Sequence, residues 1–519
     1  MSRLFRLWPG FAALAAGLLA GLAPPPFGFW PGMLGYALLL WLVDRTDDPG
    51  PSRKAFTYGW LAGFGYFLIG CWWVAEAFLV DPEAHGWMAP FAATLLPAGL
   101  ALFWGAACAL YRKFAEPKLV RVLLFASVFS AFEWLRGHVL TGFPWNIPGS
   151  SWEAGSAPSQ WAAWVGAYGL TWLTVFAFCA FEPLFHPGPR KARFGYAAAG
   201  AITLSLFWIA GSVRLMSAEI QNTRTIVRIV QADVDQEAKW SEENFRSIVR
   251  RYLNLTARAG LRQPDVVIWP EGALPASAQD TLGPGWVADG IAQALQPGQV
   301  LLMGTYRGDR GADGETRWYN SLVALHDRGD AVAVAAIYDK HRLVPFGEYL
   351  PLEKQVEKFG VKELVHVGDG FSPGPRPVTV KLPVGGTVQP LICYESLFPS
   401  LPGYKSRPDW IVNISNDAWF GRTSGPLQHL NLASYRAIEE GLPVIRSTPT
   451  GVSAVIDPYG RVSEDARLDS GESGVIDAAI PAKIEPTLYS RLRDVSFWAL
   501  TFFGLAVALW SRRHDVKNA

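Results

Sequence analysis

The sequence predicts a two-part fold, a helical membrane bundle of eight spans together with an α/β layered domain. The first observation behind this prediction is composition, because 50% of the 519 residues are hydrophobic and 18% are charged, whereas a soluble domain has roughly 25% charged residues. The second is distribution along the chain. Uncharged apolar runs fill residues 1–213 and 494–519, while residues 214–493 have ordinary charge density. We therefore expect spans one to seven in 1–213, an outer domain in 214–493, and the eighth span with a short tail in 494–519.

The predicted spans are runs that contain no Asp, Glu, Lys or Arg. Residues 7–43 form the longest run, and the three prolines at 24–26 divide it into two spans, since one span needs about 20 apolar residues. Five further runs have suitable length: 56–75, 86–111, 161–181, 194–213 and 495–511. A weaker run at 122–135 is interrupted by Glu133. These runs give eight expected spans.

The basic residues near the ends of the spans predict the orientation of the chain. They occur at every second boundary, and the loops between them, residues 24–27, 76–85 and 136–160, contain a single Arg. Short loops rich in Lys and Arg stay on the cytoplasmic side. Both termini are therefore expected in the cytoplasm and residues 214–493 outside the membrane. The basic residues are Arg3, Arg6, Arg45, Arg53, Lys54, Arg112, Lys113, Lys118, Arg121, Arg190, Lys191, Arg193, Arg512, Arg513 and Lys517.

The outer segment alternates between strand and helix patterns. Strands are expected at 225–234, 265–269, 299–306, 321–325, 332–338, 388–393, 410–414 and 443–456, with helices at 241–259 and 427–440. The strands are continuous apolar runs, which is typical of sheets buried on both faces. This alternation predicts an α/β layered domain.

Composition also excludes several classes of function. Forty-six basic and 45 acidic residues leave a formal charge of +1, so no global basic field is available for nucleic acid. Four cysteines are too few for a disulfide scaffold, and no Cys/His cluster has metal-ligand spacing. We expect neither a structural zinc nor a cofactor.

Three reactive side chains follow apolar strands in the outer segment. Glu271 stands in DVVIWPEGALP, Lys340 in AAIYDKHRLVPFGEYLP and Cys393 in PLICYESLF. A cysteine nucleophile needs a base and an oxyanion donor, and Glu271 and Lys340 could supply them. Each residue also has an ordinary interpretation: a buried inert thiol, a turn acid and an ion-pair partner. Because the segment also contains His341 and His429, a catalytic Cys–His pair remains an alternative.

The motifs WPEGALP, YDKHRLVPFGEYLP and ICYESLFP, in this order, resemble the nitrilase superfamily. The similarity is greatest to its membrane-bound branch, the apolipoprotein N-acyltransferase family, because LVPFGEYLP and NISNDAWFG (413–421) distinguish that branch from soluble nitrilases. The resemblance covers nearly the whole chain. It implies an αββα sandwich as the fold of the outer domain.

The resemblance also implies roles for particular residues. Glu271 is implied as general base, Lys340 as oxyanion stabiliser and Cys393 as nucleophile. The chain departs from the family pattern near Lys340, where it has Asp339 and Arg342. Supporting or substrate-binding roles are implied for Glu348, Tyr394, Glu395, Trp240 and Trp145.

The implied reaction moves a fatty acyl chain from a membrane phospholipid to a protein. The expected donor is phosphatidylethanolamine, and the expected acceptor is the α-amino group of a diacylglyceryl-cysteine apolipoprotein at the bacterial inner membrane, with the catalytic domain periplasmic. Residues 343–346 and 142–145 could line the lipid path, and residues 354–371 have the mixed pattern of an amphipathic lid. A C–N hydrolase outside the membrane and a transporter with an outer binding module are the alternatives.

Overall fold

The computed structural model describes residues 3–46, 50–115, 120–185, 190–234, 236, 242–350, 370–399 and 406–518. The chain forms two compact units. One is helical and comprises Met1–Ala218, Thr423–Glu440 and Pro486–Ala519. The other is an α/β unit and comprises Glu219–Arg422 and Gly441–Glu485.

Most of the longer helices of the helical unit match the apolar runs of the sequence. Its longer helices are α1 (Arg3–Gly21), α2 (Leu34–Asp44), α3 (Pro51–Cys71), α5 (Ala89–Phe114), α6 (Arg121–Arg136), α7 (Ala162–Cys179), α8 (Arg190–Met216), α12 (Gly425–Glu440) and α14 (Val495–Asn518), with the short α4 (Pro82–His85) and α13 (Leu488–Leu492) between them.

Eight spans are not found among the described helices. Four helical segments are long and apolar enough to cross a membrane, namely Pro51–Phe78, Pro82–Phe114, Pro158–Phe185 and Arg193–Met216. Two shorter apolar helices occupy Trp8–Gly21 and Val495–Ser511. Helix α2 has only 11 residues, which gives a length of about 16 Å, roughly half the hydrocarbon thickness of a bilayer. Among the described residues, the prediction of eight spans is therefore confirmed for four apolar runs, and the run that forms α2 gives a helix too short to cross a membrane.

Helix α8 shows why this unit needs an apolar environment. Within Arg193–Met216, only 17% of the 18-residue apolar stretch is buried. Ile202, Trp208, Ile209 and Val213 are exposed. Such a large apolar surface on a soluble protein would favour association. The four long helices and this surface are typical of a membrane protein.

Glu133, which interrupts the weak apolar run 122–135, forms a buried ion pair with Arg136 in the helical unit. Arg136 Nη2 lies 2.6 Å from Glu133 Oε2, and neither side chain is exposed. The same guanidinium donates to the carbonyl oxygens of Phe143 and Trp145 at 2.5 and 3.0 Å. The pair therefore fixes the chain that follows α6.

Helix α12 groups with the helical unit although the sequence places it between two strands of the α/β unit. Nearly all of its residues are buried. Asn431 Oδ1 accepts the Ala154 N–H at 2.8 Å, and the Tyr435 hydroxyl donates to the Trp152 carbonyl oxygen at 2.6 Å. These polar bonds hold α12 against the segment that precedes α7.

The described residues of the α/β unit form two six-stranded sheets. In the first, the order is β12-β1-β2-β3-β4-β5, and in the second it is β11-β10-β9-β8-β7-β6. The strands are β1 (Asn222–Gln231), β2 (Val266–Trp269), β3 (Val300–Arg310), β4 (Thr316–Asp327), β5 (Val332–Asp339), β6 (Val380–Lys381), β7 (Thr387–Ile392), β8 (Trp410–Ile414), β9 (Val444–Ser447), β10 (Ser453–Ile456), β11 (Val462–Leu468) and β12 (Gly474–Pro481).

The two sheets have the same pattern of pairing. Strands β1, β2 and β3 are parallel neighbours in one, and β7, β8 and β9 are parallel neighbours in the other. In each sheet the parallel trio is flanked by antiparallel strands. The carboxyl ends of each trio lie at one edge, where loops collect functional side chains.

One apolar core lies between the sheets and a second covers the outer face of the first sheet. The core between the sheets contains Ile268 and Leu302 from the first sheet, packed with Val412 and Ile445 from the second. Helices α9 (Glu242–Thr256), α10 (Ala278–Leu282) and α11 (Trp286–Ala294) form the outer layer over the first sheet. The described part of this unit thus has a helix, sheet, sheet layering that fits a nitrilase-like fold.

Candidate active site

The side chains of Glu271 and Lys340 meet in the α/β unit. Glu271 follows β2 and Lys340 follows β5. Lys340 Nζ lies 3.3 Å from Glu271 Oε1, and Lys340 is 1% exposed. Gly304 on β3 makes the approach of the Glu271 backbone possible, because a Cβ at this position would lie 2.6 Å from the Glu271 Cα. Cys393 follows β7, and its thiol interacts electrostatically with both Glu271 and Lys340.

Glu348 supplies a second carboxylate to Lys340. Lys340 Nζ lies 3.0 Å from both Glu348 Oε1 and Oε2, and Oε2 also accepts the backbone N–H of Val344 at 2.8 Å. Burial alone would lower the pKa of Lys340, but the charges of Glu271 and Glu348 outweigh burial and raise it. The ammonium therefore stays protonated at neutral pH.

Cys393 leaves β7 in a strained backbone conformation. Its φ is +49°, in the left-handed region that residues other than Gly rarely adopt. Cys393 as a whole residue is half-buried. Burial, and next the charge of Glu271, raise the pKa of the Cys393 thiol well above its usual value, although Lys340 acts in the opposite direction. The resting thiol is therefore protonated, so attack on a carbonyl needs a base.

Glu395 holds the Cys393 turn to the loop that carries Lys340. Its carboxylate accepts the N–H groups of Ile392 and His341 at 2.9 Å each and the Tyr338 hydroxyl at 3.0 Å. Burial raises the pKa of Glu395 although these backbone donors favour its charged form. Glu395 thus links two of the three strand ends.

Tyr394 and Trp145 have different surroundings. Tyr394 is buried and its ring packs edge-on against Phe398, with centroids 5.2 Å apart. Trp145 belongs to the helical unit, where its Nε1 donates to Gln428 Oε1 at 2.8 Å. His429, one of the two histidines that kept a Cys–His pair open, also belongs to the helical unit. Trp240 and all but the last two residues of the 354–371 segment lie outside the described residues.

The two departures from the family pattern have local partners. Asp339 accepts two bonds from Arg307, at 2.9 and 2.6 Å, and one from the Ser321 hydroxyl at 2.7 Å. The Arg342 guanidinium stacks over the Phe398 ring, 3.9 Å from its centroid. His341 Nδ1 lies 2.8 Å from the Gly374 carbonyl oxygen. The charges that act most strongly on Cys393 are those of Glu271, Lys340, Asp417 and Glu348.

Sequence reasoning missed Asn320, which bridges the two carboxylates around Lys340. Its side-chain Nδ2 donates to Glu271 Oε1 at 2.7 Å and to Glu348 Oε1 at 2.8 Å. Its backbone carbonyl oxygen accepts the backbone N–H of Lys340 at 2.8 Å. Asn320 lies inside β4, where no turn or motif marks it. Among the described residues, no group of three or more His, Cys, Asp or Glu could hold a metal ion.

Comparison with known proteins agrees with this fold. The family model described as carbon-nitrogen hydrolase matches residues 226–489, and that described as apolipoprotein N-acyltransferase N-terminal domain matches residues 16–180. The α/β unit is thus a carbon-nitrogen hydrolase domain of the nitrilase type, in a chain that also has apolar helices.

Full-length relatives define the family more narrowly. The chain is 54% identical to an apolipoprotein N-acyltransferase of Caulobacter vibrioides, over 99% of this chain and 97% of the relative. It is 41% identical to one of Brucella melitensis, over 92% and 90%, and 39% identical to one of Allorhizobium ampelinum, over 96% and 95%. The chain belongs to the apolipoprotein N-acyltransferase family.

Proposed function

We propose that the protein transfers a fatty acyl chain from a membrane phospholipid, phosphatidylethanolamine, to the α-amino group of diacylglyceryl-cysteine apolipoproteins. Family membership supports an acyltransferase. The chemistry of the α/β unit supports a covalent route with Glu271, Lys340 and Cys393 as the catalytic residues. The reaction completes the maturation of a lipoprotein.

In the first half-reaction, Glu271 takes the proton of the Cys393 thiol, and Sγ attacks the ester carbonyl of the phospholipid. Lys340 stabilises the oxyanion. An ammonium has three N–H donors, and two of them are directed at Glu271 and Glu348, which leaves one for the substrate oxygen. The C–O bond then breaks, the lysophospholipid leaves with the proton from Glu271, and Cys393 carries a thioester.

In the second half-reaction, the amino group of the apolipoprotein attacks the thioester. Glu271 takes a proton from the nitrogen, the C–S bond breaks and the thiol forms again. A covalent intermediate lets two bulky lipids use one site in turn, so the kinetics are ping-pong.

The protein acts at the bacterial inner membrane, with both termini cytoplasmic and the catalytic domain periplasmic. The four long apolar helices found among the described residues support membrane insertion, and the alternate placement of Lys and Arg supports this orientation. Both substrates are amphiphiles with reacting bonds near the headgroups, so a membrane-anchored enzyme suits them.

The observation that carries the proposal is the buried ammonium of Lys340 between two carboxylates, beside a cysteine on a strained turn. The test uses purified protein in detergent with phosphatidylethanolamine labelled in its acyl chains, with and without a diacylglyceryl-cysteine peptide. We expect label on the peptide amine, and little free fatty acid without the peptide. Equal release of fatty acid in both samples would identify a hydrolase instead.

A further inference from the structure

A fully buried ion pair lies at the end of β8, and no catalytic role assigned above uses it. Arg446 Nη2 lies 2.6 Å from Asp417 Oδ2, and neither side chain is exposed. The same guanidinium donates to Ser415 Oγ at 3.1 Å, to the Val452 carbonyl oxygen at 3.2 Å and to Asn413 Oδ1. One side chain therefore fixes three residues of the segment 413–417.

The first connection from Arg446 leads to the Cys393 turn. Leu391, Asn413 and Arg446 are direct neighbours across β7, β8 and β9. Asn413 Nδ2 donates to the Leu391 carbonyl oxygen at 3.1 Å, two residues before Cys393. Arg446 therefore orients the amide that ties β8 to the end of β7.

The second connection leads to Glu271. The Asn416 N–H donates to Glu271 Oε2 at 2.8 Å, while Oε1 is bonded to Lys340 and Asn320. Asn416 lies between Ser415 and Asp417, and Arg446 bonds both of these neighbours. The position of the Asn416 N–H therefore depends on the guanidinium.

We propose that Arg446 is a positioning residue for acyl transfer, which fixes Glu271 and the Cys393 turn relative to each other through the segment 413–417. The inference rests on the proposed function. A buried ion pair contributes little net stability compared with apolar packing. The N–H donors of the planar Arg446 guanidinium instead fix the positions of the residues that accept from them. A displacement of about 1 Å in an active site can lower a rate by up to about 100-fold.

The experiment separates the charge of Arg446 from its geometry. Arg446→Gln leaves the charge of Asp417 unbalanced, and this charge acts on the Cys393 thiol together with those of Glu271, Lys340 and Glu348. The double variant Arg446→Gln/Asp417→Asn removes both charges, so it also avoids the uncompensated buried carboxylate that could unfold the single variant. The matched control is Arg228→Gln/Asp477→Asn, which removes another ion pair of this unit: Arg228 is 2% exposed and lies 2.6 Å from Asp477.

Two rates are measured on each variant: alkylation of Cys393 by iodoacetamide, and its acylation by phosphatidylethanolamine under single-turnover conditions. The double variant should be alkylated within about twofold of the wild-type rate but acylated about tenfold or more slowly, with the donor concentration at half-maximal rate unchanged. Arg446→Lys, which keeps the charge but loses the planar set of N–H donors, should also be slow in acylation. The control pair should retain both rates.

If the double variant is acylated at the wild-type rate, the inference is wrong. It is also wrong if the control pair loses as much of its acylation rate as the double variant does. Acylation by p-nitrophenyl palmitate is measured in parallel. If wild-type protein reacts with this ester but not with phospholipid, the proposed donor is wrong, and the ester alone tests Arg446. If neither acylates the wild-type Cys393, both proposals fail.

Discussion

At the scale of single residues, the thiol of Cys393 depends on charges that act in opposite directions. Glu271 raises the thiol pKa and Lys340 lowers it. As the proposed base, Glu271 also disfavours the thiolate, which keeps the proton on sulfur until substrate arrives. The same geometry leads to a prediction in which two reactions of one cysteine change in opposite directions.

Glu271→Gln should slow acylation of Cys393 and accelerate its alkylation by iodoacetamide. Loss of the base should lower the acylation rate by about 10²–10⁴-fold. Loss of the negative charge lowers the pKa of Cys393, so more thiolate is present at any pH below that pKa, and alkylation at pH 8 becomes faster. The measurement is the rate of both reactions against pH. Slower alkylation in the variant would contradict the assigned electrostatic role of Glu271.

At the scale of secondary-structure elements, buried ion pairs fix the ends of helices and strands. In the helical unit, Arg136 joins α6 to the Phe143 and Trp145 carbonyls, and its partner Glu133 also accepts the Trp104 Nε1 bond at 2.9 Å. Neither charge reaches solvent. Removal of one partner alone should therefore be more harmful than removal of both.

Arg136→Gln should destabilise the protein by about 3–5 kcal/mol, because it leaves Glu133 buried without its partner. Arg136→Gln/Glu133→Gln should recover much of this loss, since the new amide can still accept from Trp104. Thermal unfolding of the purified protein in detergent compares the two variants. An equal decrease in melting temperature would show that the pairing does not matter.

The elements themselves could be predicted where the apolar pattern is continuous. Residues 410–414 were predicted as a strand and form β8, and 265–269 contain β2. Residues 443–456 were predicted as one strand but form β9 and β10 in antiparallel pairing, because Pro449 and Gly451 between them form a turn that the apolar pattern on either side concealed. Short or partly exposed elements, including β6, β11 and α10, had no such pattern.

The candidate site was predicted in part for a similar reason. Glu271, Lys340 and Cys393 each end an apolar strand, where a polar residue is conspicuous in the sequence. Asn320 and Arg446 lie within β4 and β9, and their importance depends on partners distant in the chain. No local pattern could have indicated them.

At the scale of the whole molecule, the main expectation is topology. Lys and Arg occur at alternate boundaries of the apolar runs, so the α/β unit should face the periplasm and residue 191 the cytoplasm. In a background without other cysteines, a membrane-impermeant thiol reagent should label Gln279→Cys in intact cells whose outer membrane has been made permeable. Lys191→Cys, the control, should react only after the inner membrane is opened. Both positions are exposed, and the reverse pattern would show that the orientation is wrong.

The central claim is that Cys393 carries the acyl group between the two lipids. Intact-protein mass spectrometry after incubation with phosphatidylethanolamine alone tests it most directly. We predict a mass increase of one acyl chain, which neutral hydroxylamine removes, which an acceptor peptide discharges, and which Cys393→Ala abolishes. Turnover to acylated peptide with no adduct at any time, together with kinetics that require both lipids bound at once, would contradict the account.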